Sequence, residues 1–291
     1  MDILLQIILR SLETGAIYAL ASLGIIIVFR TNFVINFAQG TMGMFGAYIV
    51  TILFVKLSLP LALCILLGII AGVIIGWLVD FIVIRRTKKV SALGKEIITL
   101  GMMMVFLGLA PVLFGTETMS LPKLITSGNI NIGNASVSFN SLFNIIFGLV
   151  VTIALFLILQ KTKLGLAIRT TASNEKTAKL MGVPTKTVTL FAWVVAMVLG
   201  TLAGVMIAPS TSVSTSLMNT VQVCAFFACV LGGFQTFYGP VIGAYIIALA
   251  NNLATYYVSS VWGQQIVYIL IILFLVIKPI GIFGKQVTKK V

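Results

Sequence analysis

The chain has 291 residues, of which 60% are apolar and only 9% are charged. A soluble domain carries roughly 25% charged residues to build its hydrated skin, so most of this chain's surface must face something other than water. An ordinary soluble enzyme, a disordered chain and a secreted disulfide scaffold are excluded on those grounds, and the sequence reads as an integral membrane protein.

A helix needs about 20 apolar residues to cross the hydrocarbon core. In chain order the candidate segments are 4–29, 37–56, 61–84, 97–114, 142–160, 187–207, 220–233, 239–257 and 264–277. Lys and Arg number 19 against six Asp and Glu, a net charge of +13. Fifteen of those 19 fall into three clusters: Arg85, Arg86, Lys88, Lys89 and Lys95; Lys161, Lys163, Arg169, Lys176, Lys179 and Lys186; and Lys278, Lys285, Lys289 and Lys290. Nucleic-acid surfaces interleave aromatic and polar groups with their basic residues, and these clusters have neither. Separated by long apolar stretches, they carry the positive-inside signature and are expected in the cytoplasm together with the C-terminus. Counting back from that end, the last six segments return to an inside position at every cluster.

The N-terminal third is less regular. Arg30-Thr31-Asn32 and Asn36-Phe37-Ala38-Gln39-Gly40 interrupt the apolar run without leaving room for a loop. A polar backbone break survives at membrane depth only inside protein or along a cavity. The expected fold class is therefore all-α and polytopic, with eight or nine spans and room for one discontinuous helix near Asn36–Gly43. It forms one transmembrane domain over 1–291. Met1-Asp2 supplies no basic region and no short apolar core with a small-residue cleavage site follows, so no cleavable signal peptide is expected.

The segment 115–140 is the one long external loop, and its alternating Asn129–Ile132 and Ser136–Phe139 runs suit a small hairpin. Asn134-Ala135-Ser136 matches a glycosylation triplet that matters only in a eukaryotic secretory setting. Gly68, Gly72 and Gly76 recur every four residues, as helix packing in membranes requires. The stretches Gly43–Ile49 and Pro240–Ile246 share four identities and suggest an internal repeat. Cys64, Cys224 and Cys229 sit among apolar neighbours and read as small buried hydrophobes.

The absences narrow the chemistry. With no histidine in the chain, histidine proton relays and histidine metal sites are excluded. Only Glu13 and Asp80 among the acids fall within spans, and Asp80 lies one turn before Arg85-Arg86, where an ion pair is the expected use. No phosphate-binding G-x-x-x-x-G-K-[ST] motif occurs, so ATP is not bound by that route. What remains is a pore-forming body without a motor: it conducts passively, or a partner drives it through a cytoplasmic contact. The internal loop 161–186 suits the second option. Within it Ala172–Gly182 reads as a short helix, with Ser173 or Asn174 as the cap, Glu175 and Lys179 four apart, and Gly182 as its end before Pro184. Leu180-Met181 then meets membrane or a protein groove; a plain interfacial connector is the alternative.

Several of these stretches occur in the same order in one family. Ile35-Asn36-Phe37-Ala38-Gln39-Gly40, the loop Ala172–Val183, Val230-Leu231-Gly232-Gly233 followed by Gly239-Pro240-Val241-Ile242-Gly243, and the ending Lys278–Gly284 together resemble the shorter, H-type permease of bacterial branched-chain (hydrophobic) amino-acid ABC importers. The resemblance runs from about Thr14 to the C-terminus. It implies an ABC-importer permease fold in the bacterial inner membrane, a second related permease, two cytoplasmic ATPases and an extracytoplasmic solute-binding protein. It implies no cofactor in this chain, with ATP and Mg held by the ATPases. It further implies that Ser173, Asn174, Glu175, Lys176, Thr177, Ala178, Leu180, Met181 and Gly182 form the coupling helix. Asn36, Phe37, Gln39 and Gly40, with Gly232, Gly233, Gly239 and Gly243, are placed by it near the translocation path. The family usually carries histidine at the position of Gln39, often followed by an acid at that of Thr41. An amide donates and accepts hydrogen bonds but does not titrate, so the cargo stays open between apolar amino acids and urea, short amides or another amino acid. A path lined by amides and helix N-terminal N–H groups would suit a carboxylate. A passive channel is the rival of another class.

Overall fold

The structure is a computed structural model that describes residues 2–87, 90–132 and 135–284. Lys88, Lys89, Asn134, Lys285, Lys289 and Lys290 lie outside the described residues. Every one of the nine apolar segments contains a helix. The described residues form α1 (Asp2–Asn32), α2 (Gln39–Leu57), α3 (Leu61–Ile82), α4 (Ala92–Phe114), the hairpin β1 (Asn129–Ile132) and β2 (Ala135–Ser138), α5 (Phe139–Lys161), α6 (Lys163–Ser173), α7 (Glu175–Leu180), α8 (Thr185–Thr211), α9 (Asn219–Gly232), α10 (Tyr238–Tyr257) and α11 (Gly263–Ile277). Six of them, α1 to α5 and α8, are long and apolar enough to cross a membrane; α9 and α11 are shorter apolar helices, and α10 carries Asn251 and Asn252.

These helices divide into an inner and an outer set. The apolar stretches of α1, α8 and α2 are 78%, 67% and 61% buried, against 28%, 22% and 17% for α3, α5 and α4. A helix that is apolar all round belongs inside a bundle or against lipid, and small residues decide which. α1 packs along α8, α9 and α10; its Gly15 lies against the Tyr245 ring and its Gly24 against the Gln39 amide. The Gly68–Gly76 ladder does the same work for α3: a Cβ on Gly76 would come within 2.8 Å of the Val194 backbone, so α3 lies flush on α8. The opposite face of α3, with Leu66, Ile70, Ile74 and Trp77, stays exposed, as a lipid-facing surface requires. Cys64, Cys224 and Cys229 are buried and free.

The three basic segments converge on one end of the bundle. A cavity of about 660 Å³ there is lined by Asn32 at the end of α1, Arg85 and Lys95 from the first cluster, and Lys176, Lys179 and Lys186 from the second. The chain after α11 reaches the same end: Ile282 N donates to Leu231 O at 2.7 Å at the end of α9, and Phe234, just beyond α9, packs at a tilt on Phe29 near the end of α1, centroids 4.5 Å apart. Asp80 pairs with Arg85 as expected, Nε to Oδ2 at 2.8 Å. The loop 115–140 lies at the opposite end. Its hairpin pairs Ile130 with Val137 and borders the first turns of α1, and Met119 bridges Val213 just beyond α8.

Candidate functional site

The polar break in the N-terminal third is the most heavily engineered piece of the interior. α1 ends at Asn32, where Phe33 takes a left-handed φ of 53° and donates its N–H to Phe29 O at 2.7 Å. Such a conformation is unusual for a bulky aromatic and stores strain. The chain then turns back into the bundle. Gln39, the first residue of α2, meets Gly24 of α1, eight residues before the end of that helix and so about 12 Å deeper along its axis. From Gln39 onward the backbone is continuous helix to Leu57, so the interruption spans 33–38 and does not reach Gly40 or Gly43.

A reversal at this depth exposes backbone groups that water cannot reach, and each must find a partner in the protein. Asn36, fully buried, caps the turn: its Oδ1 accepts from Ala38 N at 3.1 Å and its Nδ2 donates to Gln39 Oε1 at 3.2 Å. Gln39 passes the chain of bonds on, donating from Nε2 to Ala196 O of α8 at 2.7 Å. Gln222 of α9 clamps both sides of the break. Its Oε1 accepts from Gly40 N at 2.7 Å and its Nε2 donates to Phe37 O. Thr99 of α4 closes the circuit, accepting from Phe37 N at 3.2 Å; its own proton is shared between Glu96 O at 2.8 Å and Ile35 O at 3.1 Å. The Phe37 ring packs on Phe226, centroids 5.3 Å apart. Two of the N–H groups at this turn are thus engaged within the protein: Ala38 N by Asn36 and Gly40 N by Gln222.

The second group of implied path residues lies where α9 gives way to α10. Gly232 and Gly239 meet backbone to backbone where α9 turns into α10, and a Cβ on Gly243 would sit 2.5 Å from Ala228 O. Gly233, at φ 90°, adopts a conformation that favours glycine and receives the tail at Ile280 and Gly284. Gln222 and Gly232 are ten residues apart, about 15 Å along α9. The structure therefore joins Asn36, Phe37, Gln39 and Gly40 into one site and assigns the four glycines to a helix crossing beside it.

Gln222 and Thr99 are the site residues that sequence reasoning missed. Gln222 is the one amide within the apolar stretch 220–233, which was a usable signal. Thr99 is the one hydroxyl in α4, an equally usable signal that pointed to no particular partner. Among the described residues no group of three His, Cys, Asp or Glu could hold a metal ion.

The loop 161–186 is built locally. α5 hands over to α6 through Thr162, whose Oγ1 accepts from Gly165 N at 3.1 Å. Ser173 ends α6. Of the two expected caps it is Asn174 that starts α7, accepting at Oδ1 from Thr177 N at 3.1 Å. Glu175 and Lys179 form the i,i+4 ion pair. Gly182, at φ 79° with open space around its Cα, ends the segment. Ala178 faces the protein, whereas Leu180 and Met181 are 88% and 74% exposed. Two adjacent apolar side chains are thus left in the open beside Lys176 and Lys179.

A family model described as the branched-chain amino acid transport system / permease component matches residues 7–276. The chain belongs to this family. It is 29% identical to the probable branched-chain amino acid transport permease protein LivH of Methanocaldococcus jannaschii, over 94% of this chain and 91% of that protein. It is 26% identical to the high-affinity branched-chain amino acid transport system permease protein LivH of Escherichia coli K12, over 99% and 97% of the two chains. Against BraD of Pseudomonas aeruginosa, named likewise, identity is 24% over 99% and 98%. No solved structure matches the chain. The match spans the polar break, the glycine crossing and the loop with α7, so all three belong to a transport permease.

Proposed function

We propose that the chain is one of two permease subunits of an ATP-driven importer of branched-chain and other apolar amino acids in the bacterial inner membrane. The observation that carries this reading is the family match along nearly the whole chain. The fold supplies supporting chemistry. A chain without a nucleotide motif needs a mechanical input, and α7 offers a surface for one: a rigid, capped helix displaying Leu180 and Met181. The end bearing the basic segments is cytoplasmic in this reading, so α7 meets a partner ATPase and the 115–140 end meets a solute-binding protein. ATP and Mg belong to the ATPases.

In the proposed cycle, closure of the ATPases pushes α7, and α8 transmits the displacement because only four residues separate the two helices. α8 holds Gln39 through the Ala196 carbonyl, which links the driven helix to the polar break. Opening of the path then requires Gln222 to release Gly40 N, freeing a helix N-terminal amide for the substrate's carboxylate.

Reconstituted vesicles containing this chain, its partner permease, the ATPases and the binding protein should import radiolabelled leucine only with ATP. A Leu180→Asp/Met181→Asp double substitution should abolish uptake while leaving ATPase turnover in the uncoupled complex. Leucine flux without ATP, or unimpaired uptake in the double variant, would sink the reading in favour of a passive channel; uptake of urea in place of leucine would correct the cargo.

A further inference from the structure

The exposed sides of α5 and α6 meet at an elbow that carries cations without partners. α5 turns Leu149, Ile153 and Leu157 outward, each about half exposed, as a helix against lipid does. At Thr162 the chain leaves α5 for the 11 residues of α6. Gly165 seats on the carbonyls of Ile158 and Leu159, and Ile168, Thr171 and Ala172 are buried beside it. The other side of α6 is a single stripe at three-residue spacing: Lys163, Leu166 and Arg169, with Leu166 56% exposed. Arg169 ties this stripe to the end of α5, since its Nε donates to Gly165 O and its Nη2 to the exposed Gln160 O, each at 3.4 Å. A guanidinium carries five N–H groups, so three of them face outward unused. Lys161, exposed in the last turn of α5, adds a third cation. Among the described residues the ion pairs are Asp80–Arg85 and Glu175–Lys179, so no acid there neutralises Lys161, Lys163 or Arg169.

The position of these cations selects the occupant. They stand at the foot of a lipid-facing helix, at the end of the bundle that clustered positive charge places in the cytoplasm. Between them lies an exposed leucine, an arrangement that suits the boundary of headgroups and acyl chains. A phosphodiester holds two free oxygens side by side, and a guanidinium fork with unused N–H groups donates to both. A zwitterionic headgroup brings its own cation, which the two lysines repel; a headgroup of net negative charge brings none. We propose that the α5–α6 elbow binds an anionic phospholipid of the cytoplasmic leaflet. Its phosphate accepts from Arg169, Lys161 and Lys163 balance its charge, and its acyl chains lie on Leu166 and down the outer side of α5. A soluble anion has no use for the apolar part of this surface. Only Asn174 separates α6 from α7, so a lipid held here steadies the base from which α7 projects. The inference rests on the membrane setting of the chain and not on its cargo or its motor.

The test uses the full chain, with the subunits that copurify with it, taken from vesicles of phosphatidylglycerol and phosphatidylethanolamine in equal parts. Native mass spectrometry then counts the lipids that stay bound. Retention of phosphatidylglycerol in preference to phosphatidylethanolamine is expected. Lys161→Gln/Lys163→Gln/Arg169→Gln should lower that preference about tenfold, since each basic group near the surface contributes to anionic-lipid attraction. Lys95→Gln/Lys186→Gln removes cations from the same end but not from the elbow, and should leave it unchanged. Where the triple substitution disturbs insertion of the chain, Arg169→Lys decides: it keeps the charge and removes the fork, and should lower the preference about threefold. Leu166→benzoylphenylalanine should couple to phospholipid on irradiation. Equal retention of the two lipids, a preference untouched by the elbow substitutions, or an equal loss in the Lys95/Lys186 variant overturns the inference. Coupling of position 166 to another protein subunit overturns it too, by making the elbow a protein contact. None of these readouts involves uptake, so the transport reading stands or falls separately.

Discussion

Two interruptions of the helical bundle solve the same problem by opposite means. At 33–38 the chain reverses inside the protein, and its freed N–H and C=O groups are met by side chains from distant helices: Gln222, Thr99 and, through Gln39, the Ala196 carbonyl. At 161–186 the chain leaves helix twice at the surface, and every cap comes from within a few residues: Thr162 for α6, Asn174 for α7 and Gly182 for its end. Water supplies whatever the surface segment lacks. The interior segment has no such reserve, so its partners are obligatory and long in sequence separation.

The contrast predicts a graded series of effects. Gln222→Leu strips two backbone groups of their partners at once; at about 1–3 kcal/mol for each orphaned group it should cost about 2–5 kcal/mol and lower the thermal midpoint of the complex more than any single change in the surface loop. Gln39→Leu should cost about 2–4 kcal/mol for the same reason, whereas Gln39→His, whose ring can donate to Ala196 O and accept from Asn36, should keep most of that stability. A histidine variant as unstable as the leucine one would show that the Gln39 bonds do not hold the break. Thr99→Val, nearly isosteric, removes the partner of Phe37 N and should cost about 1 kcal/mol, visible as faster hydrogen exchange of the Phe37 and Ala38 amides. Asn174→Ala should also cost about 1 kcal/mol, but only of α7 itself: the global melting curve should stay in place while ATP-driven uptake falls. At the small end, Lys179→Gln removes an exposed i,i+4 pair worth about 0.3–0.5 kcal/mol and should leave both melting and uptake within error. If Asn174→Ala shifted the global midpoint as far as Gln222→Leu, the division between interior and surface solutions would be wrong.

The same division explains what could be read in advance. A cap at Ser173 or Asn174, the Glu175–Lys179 pair, the Gly182 stop, the 129–138 hairpin and the Asp80–Arg85 pair were all legible, because each depends on residues fewer than about ten positions apart. The break at Asn36–Gly40 was legible as an anomaly, since polar residues without loop length must be buried or must line a cavity. Its partners were not: Gln222 lies 183 positions from Gln39, and nothing in a one-dimensional pattern ties the two. The glycines showed the same limit. Their spacing announced close packing, yet only the helix crossing revealed that Gly232 meets Gly239 while Gly43 meets Gly200.

By itself the sequence determined that this chain lives in a membrane, which segments are helical and which three segments share a side, because hydrophobic length and charge clustering act locally and additively along the chain. The tertiary structure alone decided that α1 lies inside and α4 outside, that α2 begins deep in the bundle, and that Gln222 and Thr99 are the partners of the polar break. Those outcomes depend on which helix faces meet, and a face is chosen by the joint fit of several helices, which no single stretch of sequence specifies.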